Sequence, residues 1–472
     1  MKKSSFVLAA LALLLATVST SYSQQGRQGN PGQQGQGAQD PGPRGAPVGA
    51  GQPVQGLSNE EVDYFNNGLN RFQAVETVPT GLGPGFNMNS CSGCHAQPAI
   101  GGSSPSTTAY PNIGPNPQVA VATLDNASNI IPPFITADGP VREARFVYTT
   151  NANGSLTNTP DGGVHDLFTI AGRGDAQSCQ LQQPNFEQAL AQRNVIFRTP
   201  TPLFGLGMIE AITDETIMYN ALQNAGLKRL LGISGQPNRN GNDGTISRFG
   251  WKAQNKSLNL FAGEAYNVEM GVTNEMFPDE RGFPPNPLPA NCLMNKTPED
   301  GTNFLAPGSD SAAVASDIVM FATYMRMLDQ PTPACTGTGC SQSIQNGAKV
   351  FAGVGCALCH TPSMQTGLSY YAPAGISNVT ANLFSDLLVH NMGSGLADGV
   401  SQGTAGPSQF RTAPLWGVGQ RVFFLHDGRT SDLQQAILAH ASQGSEANGV
   451  IYQFRGLTTN QKQDLLNFLR SL

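Results

Sequence analysis

The chain has 472 residues, enough for two or three domains with real cores, and a formal net charge of −6 with no basic block. That balance argues against nucleic acid as a partner. Only 12% of the residues are charged, while 55 glycines and 33 prolines predict a chain rich in loops.

Lys2 and Lys3 precede an apolar run from Phe6 to Val18, and Ser21 and Ser23 stand at −3 and −1 of a cut before Gln24. This is the form of a secretory signal, so residues 1–23 are expected to be removed and the mature protein to be periplasmic or secreted. The run is short for a membrane span, and no later stretch qualifies, so no span is expected in the mature protein. Residues 24–56 are rich in Gly, Gln and Pro and nearly free of large apolar side chains. Such a stretch cannot bury enough surface to offset ordering, which predicts a disordered tether.

Ser58, with Glu61 three residues on, has the form of a helix cap, and Val62, Phe65, Leu69 and Phe72 follow at helical spacing. A Gly/Pro loop then leads into Cys91-Ser-Gly-Cys-His95, and a second copy of that pattern is Cys356-Ala-Leu-Cys-His360. C-x-x-C-H is the attachment pattern of a c-type haem. Two thiols three residues apart can bond the two vinyl groups of one porphyrin, and the adjacent histidine is then held beneath the iron. A structural zinc site or a dithiol redox pair is the alternative. Two copies in an exported chain favour two covalent haems. The other four cysteines are even in number, as suits an oxidising compartment. Cys335 and Cys340 flank Thr-Gly-Thr-Gly, a loop that a local disulfide could close, which leaves Cys179 with Cys292.

Between the motifs, Val119–Thr123 and Arg145–Thr149 are predicted strands. His165 falls in a loop, where a surface or hydrogen-bonded role is the ordinary one. Phe197-Arg-Thr-Pro-Thr-Pro-Leu-Phe-Gly-Leu-Gly207 is echoed by Phe410-Arg-Thr-Ala-Pro-Leu-Trp-Gly-Val-Gly419, and each copy is followed by a predicted helix, 214–222 and 432–440. This reads as an internal repeat, so two halves share one ancestry, with glycines that let backbone approach a haem face. A helix over 311–328 would close the first half, 329–342 is the linker, and helices over 343–350 and 458–472 bracket the second half.

These residues resemble the di-haem oxidoreductase family related to bacterial di-haem cytochrome c peroxidases and to the maturation enzyme of methylamine dehydrogenase. The likeness lies in both C-x-x-C-H motifs, in 197–212, Arg248–Ala253, Glu269–Asn274, 386–399, 410–419 and 424–440, and it covers roughly 57–472. It implies a mainly α fold with loops and a few short strands, built as two cytochrome c-like haem domains, 57–328 with long insertions and 343–472. It implies peroxidase-type chemistry in which hydrogen peroxide is reduced at the first haem. Electrons would arrive through the second haem from a small donor protein, a cytochrome c or a copper protein, by way of Trp251 or Trp416. The related enzymes also hold a calcium ion between their domains, for which no residue of this chain is assigned. A non-catalytic electron-transfer cytochrome and an oxidase of protein side chains are the rival functions.

By this resemblance His95 and His360 ligate the two irons. One helix after the His-Asp-Gly turn the peroxidases carry a distal ligand, commonly methionine, and here that position is His440, with Met392 as a rival. His426 is expected to make a turn or haem-edge hydrogen bond, and His390 to contact a propionate. The helix 214–222 has no histidine, so the first iron has an open distal position unless Met218, Met270 or His165 fills it. Breaking the O–O bond of peroxide needs a group that moves a proton between its oxygens. Glu210, in the apolar run Gly-Met-Ile-Glu-Ala-Ile, is the first candidate, because burial would raise its pKa. Glu269 is the second.

Overall fold

The computed structural model describes residues 37–45, 47–105, 115–282, 288–301, 315–369 and 374–472. The expected signal, 1–23, lies outside them. The chain is mainly helical with short strands, and among the described residues no helix is long and apolar enough to cross a membrane.

The first half opens with α1, Asn59–Gln73, capped by Ser58 through the expected capping box with Glu61. The first motif makes a single helical turn, α2, Cys91–Cys94. Three strands follow, β1 (Glu143–Phe146), β2 (Val164–His165) and β3 (Val195–Arg198), in the antiparallel order β2-β1-β3. Next come α3 (Leu206–Ala211), α4 (Asp214–Leu222), α5 (Ala225–Leu231), α6 (Leu258–Met270) and α7 (Asp317–Met327). The second half runs α8 (Gln342–Gly353), β4 (Val389–Asn391) paired with β5 (Gln409–Arg411), α9 (Leu433–Leu438), α10 (Asn448–Arg455) and α11 (Thr459–Ser471). Of the two strands predicted first, 145–149 lies across two strands, but 118–121 is a helical turn. Its Val-Ala-Val-Ala alternation is too short to tell the two apart.

The repeat shows in how helices cross. In α1, a Cβ on Gly68 would sit 2.8 Å from Met320 O of α7, and in α8 a Cβ on Gly347 would sit 2.0 Å from Asp464 O of α11. Each half therefore packs its first helix onto its last through a glycine. The repeated Gly-x-Gly segments use the same device: a Cβ on Gly207 would lie 2.1 Å from Arg326 O, and one on Gly419 would lie 2.2 Å from Arg470 O. These glycines, expected to face a haem, instead admit the backbone of the closing helix. Gly347→Ala is therefore expected to cost about 1–3 kcal/mol, read as a lowered Tm. Gly353→Ala in the same helix, where a Cβ meets nothing within 4 Å, should leave Tm unchanged or raise it slightly.

Two apolar cores result, and they exchange residues. Met364, Ile376, Leu383, Leu387 and Trp416 belong to the first core, while Ile233 belongs to the second. Disulfides join Cys179 to Cys292 and Cys335 to Cys340.

The described part of the expected tether is not free. Asp40 forms a buried ion pair with Arg470 at 2.6 Å and accepts from Leu433 N at the start of α9. Arg44 donates to Thr332 O, and Ala50 and Val54 are buried. Backbone bonds Asp329 N to Gln52 O and Thr332 N to Gly49 O lay this strap along the linker. Composition missed it because polar pairing with a finished surface, with only Ala50 and Val54 buried, holds it.

Candidate functional site

Each C-x-x-C-H motif opens onto its own large cavity. The first cavity is lined by Cys91, Cys94 and His95, and the second by Cys356, Cys359 and His360. The four thiols form no disulfide. Burial pushes Cys91 and Cys356 up to about 12 and Cys94 well above the ordinary thiol value. Reactive dithiols carry depressed values, the opposite of both thiols of the first motif.

Three histidines are set as ligands would be. His95 Nδ1 donates to Gly102 O at 3.0 Å, His360 Nδ1 to Phe384 O at 3.0 Å and His440 Nδ1 to Ala436 O at 2.8 Å. A carbonyl only accepts, so the proton is on Nδ1 and Nε2 keeps its lone pair for a metal. Burial pulls His95 and His360 down to about 4 and lowers His440, so all three are neutral. His440 lines the second cavity with His360, near enough that a proton on one would oppose a proton on the other. Met392 lines that cavity too.

The remaining histidines do other work. His390 Nε2 lies 2.9 Å from Asp386 and its Nδ1 2.8 Å from Glu446. Burial opposes its charge, but Asp386 first and then the Cys359 sulfur prevail and hold it well above the ordinary value. With both nitrogens taken by carboxylates of the protein, His390 has none left for a propionate, contrary to expectation. His426 lines the second cavity and stacks on Phe410 at 4.3 Å. His165 pairs with Asp161 and stacks on Phe146. Neither His165 nor Met218 is among the residues lining the first cavity; Met270 is, with its sulfur 3.9 Å from Cys91 Sγ.

Fit to an anionic macrocycle shows in the second cavity. Arg411 and Arg421 line it, are buried, and leave Arg411 Nη1 and Arg421 Nε and Nη2 without partners. Burial alone pulls both down to about 10. Buried unpaired cations are costly, and carboxylate groups on a bound macrocycle would relieve them.

The first cavity is built differently. Alternation along β1 turns Glu143 and Arg145 to the cavity and Ala144 and Phe146 to the core, and β3 sets Arg198 opposite Glu143. Glu269, from the last turn of α6, hydrogen-bonds Glu143 and accepts from Asn87 Nδ2 at 2.9 Å. Burial and the charge on Glu143 push Glu269 well above the carboxylate range. Burial opposes ionisation of Glu143 as well, but Arg145 and Arg198 outweigh it. One proton is thus held by Glu269 beside an ionised Glu143.

Glu210 is not part of this group. Its carboxylate pairs with Arg326 at 2.6 Å and accepts from Leu258 N at the start of α6, so it ties α3 to α6 and α7. Glu143 was missed because its partner Glu269 is 126 residues away in sequence; a charged residue opening a strand was the available signal. Trp251 lines both cavities and donates from Nε1 to Thr199 O at 2.8 Å. Trp416 covers Gly205 instead.

A family model described as "Di-haem oxidoreductase, putative peroxidase" matches residues 143–472. No curated protein matches the chain. Two solved structures show distant likeness. Hydrazine synthase of Kuenenia stuttgartiensis, pressurised with 20 bar xenon, aligns with 95% of this chain and 100% of its own at 13% identity and a TM-score of 0.31. A MauG-like protein associated with microbial copper homeostasis aligns with 58% of this chain and 90% of its own at 16% identity and a TM-score of 0.29.

Proposed function

Because this chain belongs to the di-haem oxidoreductase family, we propose that it reduces hydrogen peroxide at its first cavity with electrons supplied through its second. The observation that carries this reading is the asymmetry of the cavities. Among the described residues, the first has Glu143, Glu264 and Glu269 on its wall, whereas the second has one carboxylate, Glu446, which is paired with His390. Proton chemistry therefore belongs to the first site and electron storage to the second.

Cys91, Cys94 and His95 would hold one haem covalently, and Cys356, Cys359, His360 and His440 the other, each half being a cytochrome c-like unit on either side of the linker 329–342. When bound, the haems supply the redox chemistry. The chain's own residues supply protons and walls. Turning one peroxide into two waters takes two electrons and two protons. Within the pair the proton count is neutral: the ionised Glu143 would take a proton from peroxide and Glu269 would give its own to the oxygen that leaves as the first water. The two protons of the overall reaction would enter from solvent with the donor's two electrons and complete the second water. Arg145 and Arg198 keep Glu143 ionised, and Asn87 holds the Glu269 carboxyl in place. Trp251, touching both cavities, is the path between them. The leader directs this activity outside the cytoplasm, to the periplasm or beyond.

The test is electron paramagnetic resonance of the holoprotein, oxidised and half-reduced, before and after hydrogen peroxide, with turnover against a reduced cytochrome or copper protein. The expected result is a high-spin ferric signal that peroxide abolishes, and two donors oxidised per peroxide. Two low-spin signals that peroxide does not move in either state would mean an electron carrier instead.

A further inference from the structure

The strap begins against the second half. Ala38 packs on the second core, and Gln39 is bonded twice to Gln463 of α11, from Gln39 N to Oε1 and from Nε2 to Gln39 O, both at 2.9 Å. Next comes Asp40, the one acidic residue between 37 and 56. Its Oδ1 accepts from Arg470 Nε at 2.7 Å and from Gly42 N at 2.9 Å, and its Oδ2 accepts from Arg470 Nη2 at 2.6 Å and from Leu433 N at 2.7 Å. Both side chains of the ion pair are buried, Arg470 at 4% exposure and Asp40 at 6%.

Two walls of the second cavity meet at this pair. One is α9, a helix of six residues whose cap, Asp432, accepts from Gln435 N, while Asp40 takes the first N–H, that of Leu433. Leu433, Ala436 and Ile437 line the cavity, and His440 lines it just past the last turn. So short a helix has little stability of its own, and its place depends on what holds its ends. The other wall carries Arg421 and Phe424. Arg470 Nη1 donates to Arg421 O at 2.9 Å, and its guanidinium lies 5.0 Å over the Phe424 ring. Among the described residues Asp40 is the only acid paired with Arg470. Without Asp40 a buried cation would stand unpaired between both walls, which is costly. The strap's bonds to Met327, Asp329 and Thr332 run to the first half and the linker, and none of these residues lines the second cavity.

We propose that Asp40 is a positioning residue of the second site: from the opposite end of the chain it fixes the start of α9, and so holds His440 where its free Nε2 serves as the second axial ligand. The proposal rests on the reading of His440 as that ligand. Without this hold, α9 shifts and His440 leaves the iron in part of the population.

The test is electron paramagnetic resonance of the oxidised holoprotein, with Tm measured beside it. Asp40→Ala is expected to lose most of the low-spin signal of the second site, with high-spin ferric intensity rising to match. Asp40→Asn can still accept from Leu433 N but no longer balances Arg470, and should lose less. Val54→Ala is the matched control at the strap's other end: it removes buried apolar surface (Val54 is 3% exposed) and should lower Tm while keeping the wild-type spectrum. Wild-type spectra in both Asp40 variants, with Tm lowered, would make the strap a structural brace only and overturn the proposal. An equal loss of low-spin signal in Val54→Ala would overturn it too, because general loosening would then suffice. Should Asp40→Ala yield no folded holoprotein, Asp40→Asn against Val54→Ala decides. His440→Ala separates the two readings: an intact low-spin signal there overturns the ligation and this proposal together, whereas a lost one beside an unchanged Asp40→Ala overturns this proposal alone.

Discussion

Glu269→Gln is expected to slow peroxide-dependent oxidation of a reduced donor by about 10²–10⁴-fold, the usual worth of a positioned general acid, with haem content unchanged. Glu269 lines the first cavity and holds a proton against Glu143. An amide keeps the hydrogen bonds but has no proton to deliver. The pH profile carries the sign. Glu269 sits well above the ordinary carboxylate value, so the rate falls as pH rises through its pKa. Glu143 is held below the ordinary value, so the rate falls on the acid side only as Glu143 takes up a proton. The variant should lose the alkaline limb. Glu210→Gln is the matched control: it breaks the pair with Arg326 and should lower Tm while sparing the rate. The opposite pattern, a slow Glu210 variant and a normal Glu269 variant, would return the proton relay to Glu210.

His440→Ala should convert the second site from low-spin to high-spin ferric, and His440→Met should keep it low-spin and raise its reduction potential. Imidazole stabilises ferric iron more than a thioether does, and axial ligands move haem potentials over about 0.8 V in all. The geometry behind this is the Nδ1–H bond to Ala436 O, which leaves Nε2 as the donor atom. Potentiometry followed by resonance spectra at fixed potentials reads both effects. An unchanged low-spin signal in His440→Ala would pass the ligand role to Met392, which lines the same cavity. Electrons would then be stored at a higher potential than bis-histidine ligation allows.

The helix cap at Ser58, the helix Asp214–Leu222 and the two disulfide pairs were legible in advance, because each depends on neighbours in sequence or on cysteine count. Glu210 misled because an apolar run around a carboxylate predicts burial but not the partner, and Arg326 arrives from a helix more than a hundred residues away. The repeat was visible as Phe-Arg-Thr and Gly-x-Gly, yet its meaning was not: its glycines receive the backbone of a closing helix. The same limit hid His390, whose Asp386 is four residues off but whose Glu446 is not.

By itself, the sequence determined the two C-x-x-C-H motifs, the family likeness and the mainly helical character, since all of these are written in short spacings that chemistry or helix geometry reads directly. Only the tertiary structure decided that Glu143 meets Glu269, that Trp251 touches both cavities, that Arg411 and Arg421 are left unpaired beside the second, and that residues 37–45 and 47–56 strap both halves together. Those facts are long-range: each joins residues brought together by strand pairing and helix crossing, and no local pattern encodes which distant charge a buried group will face.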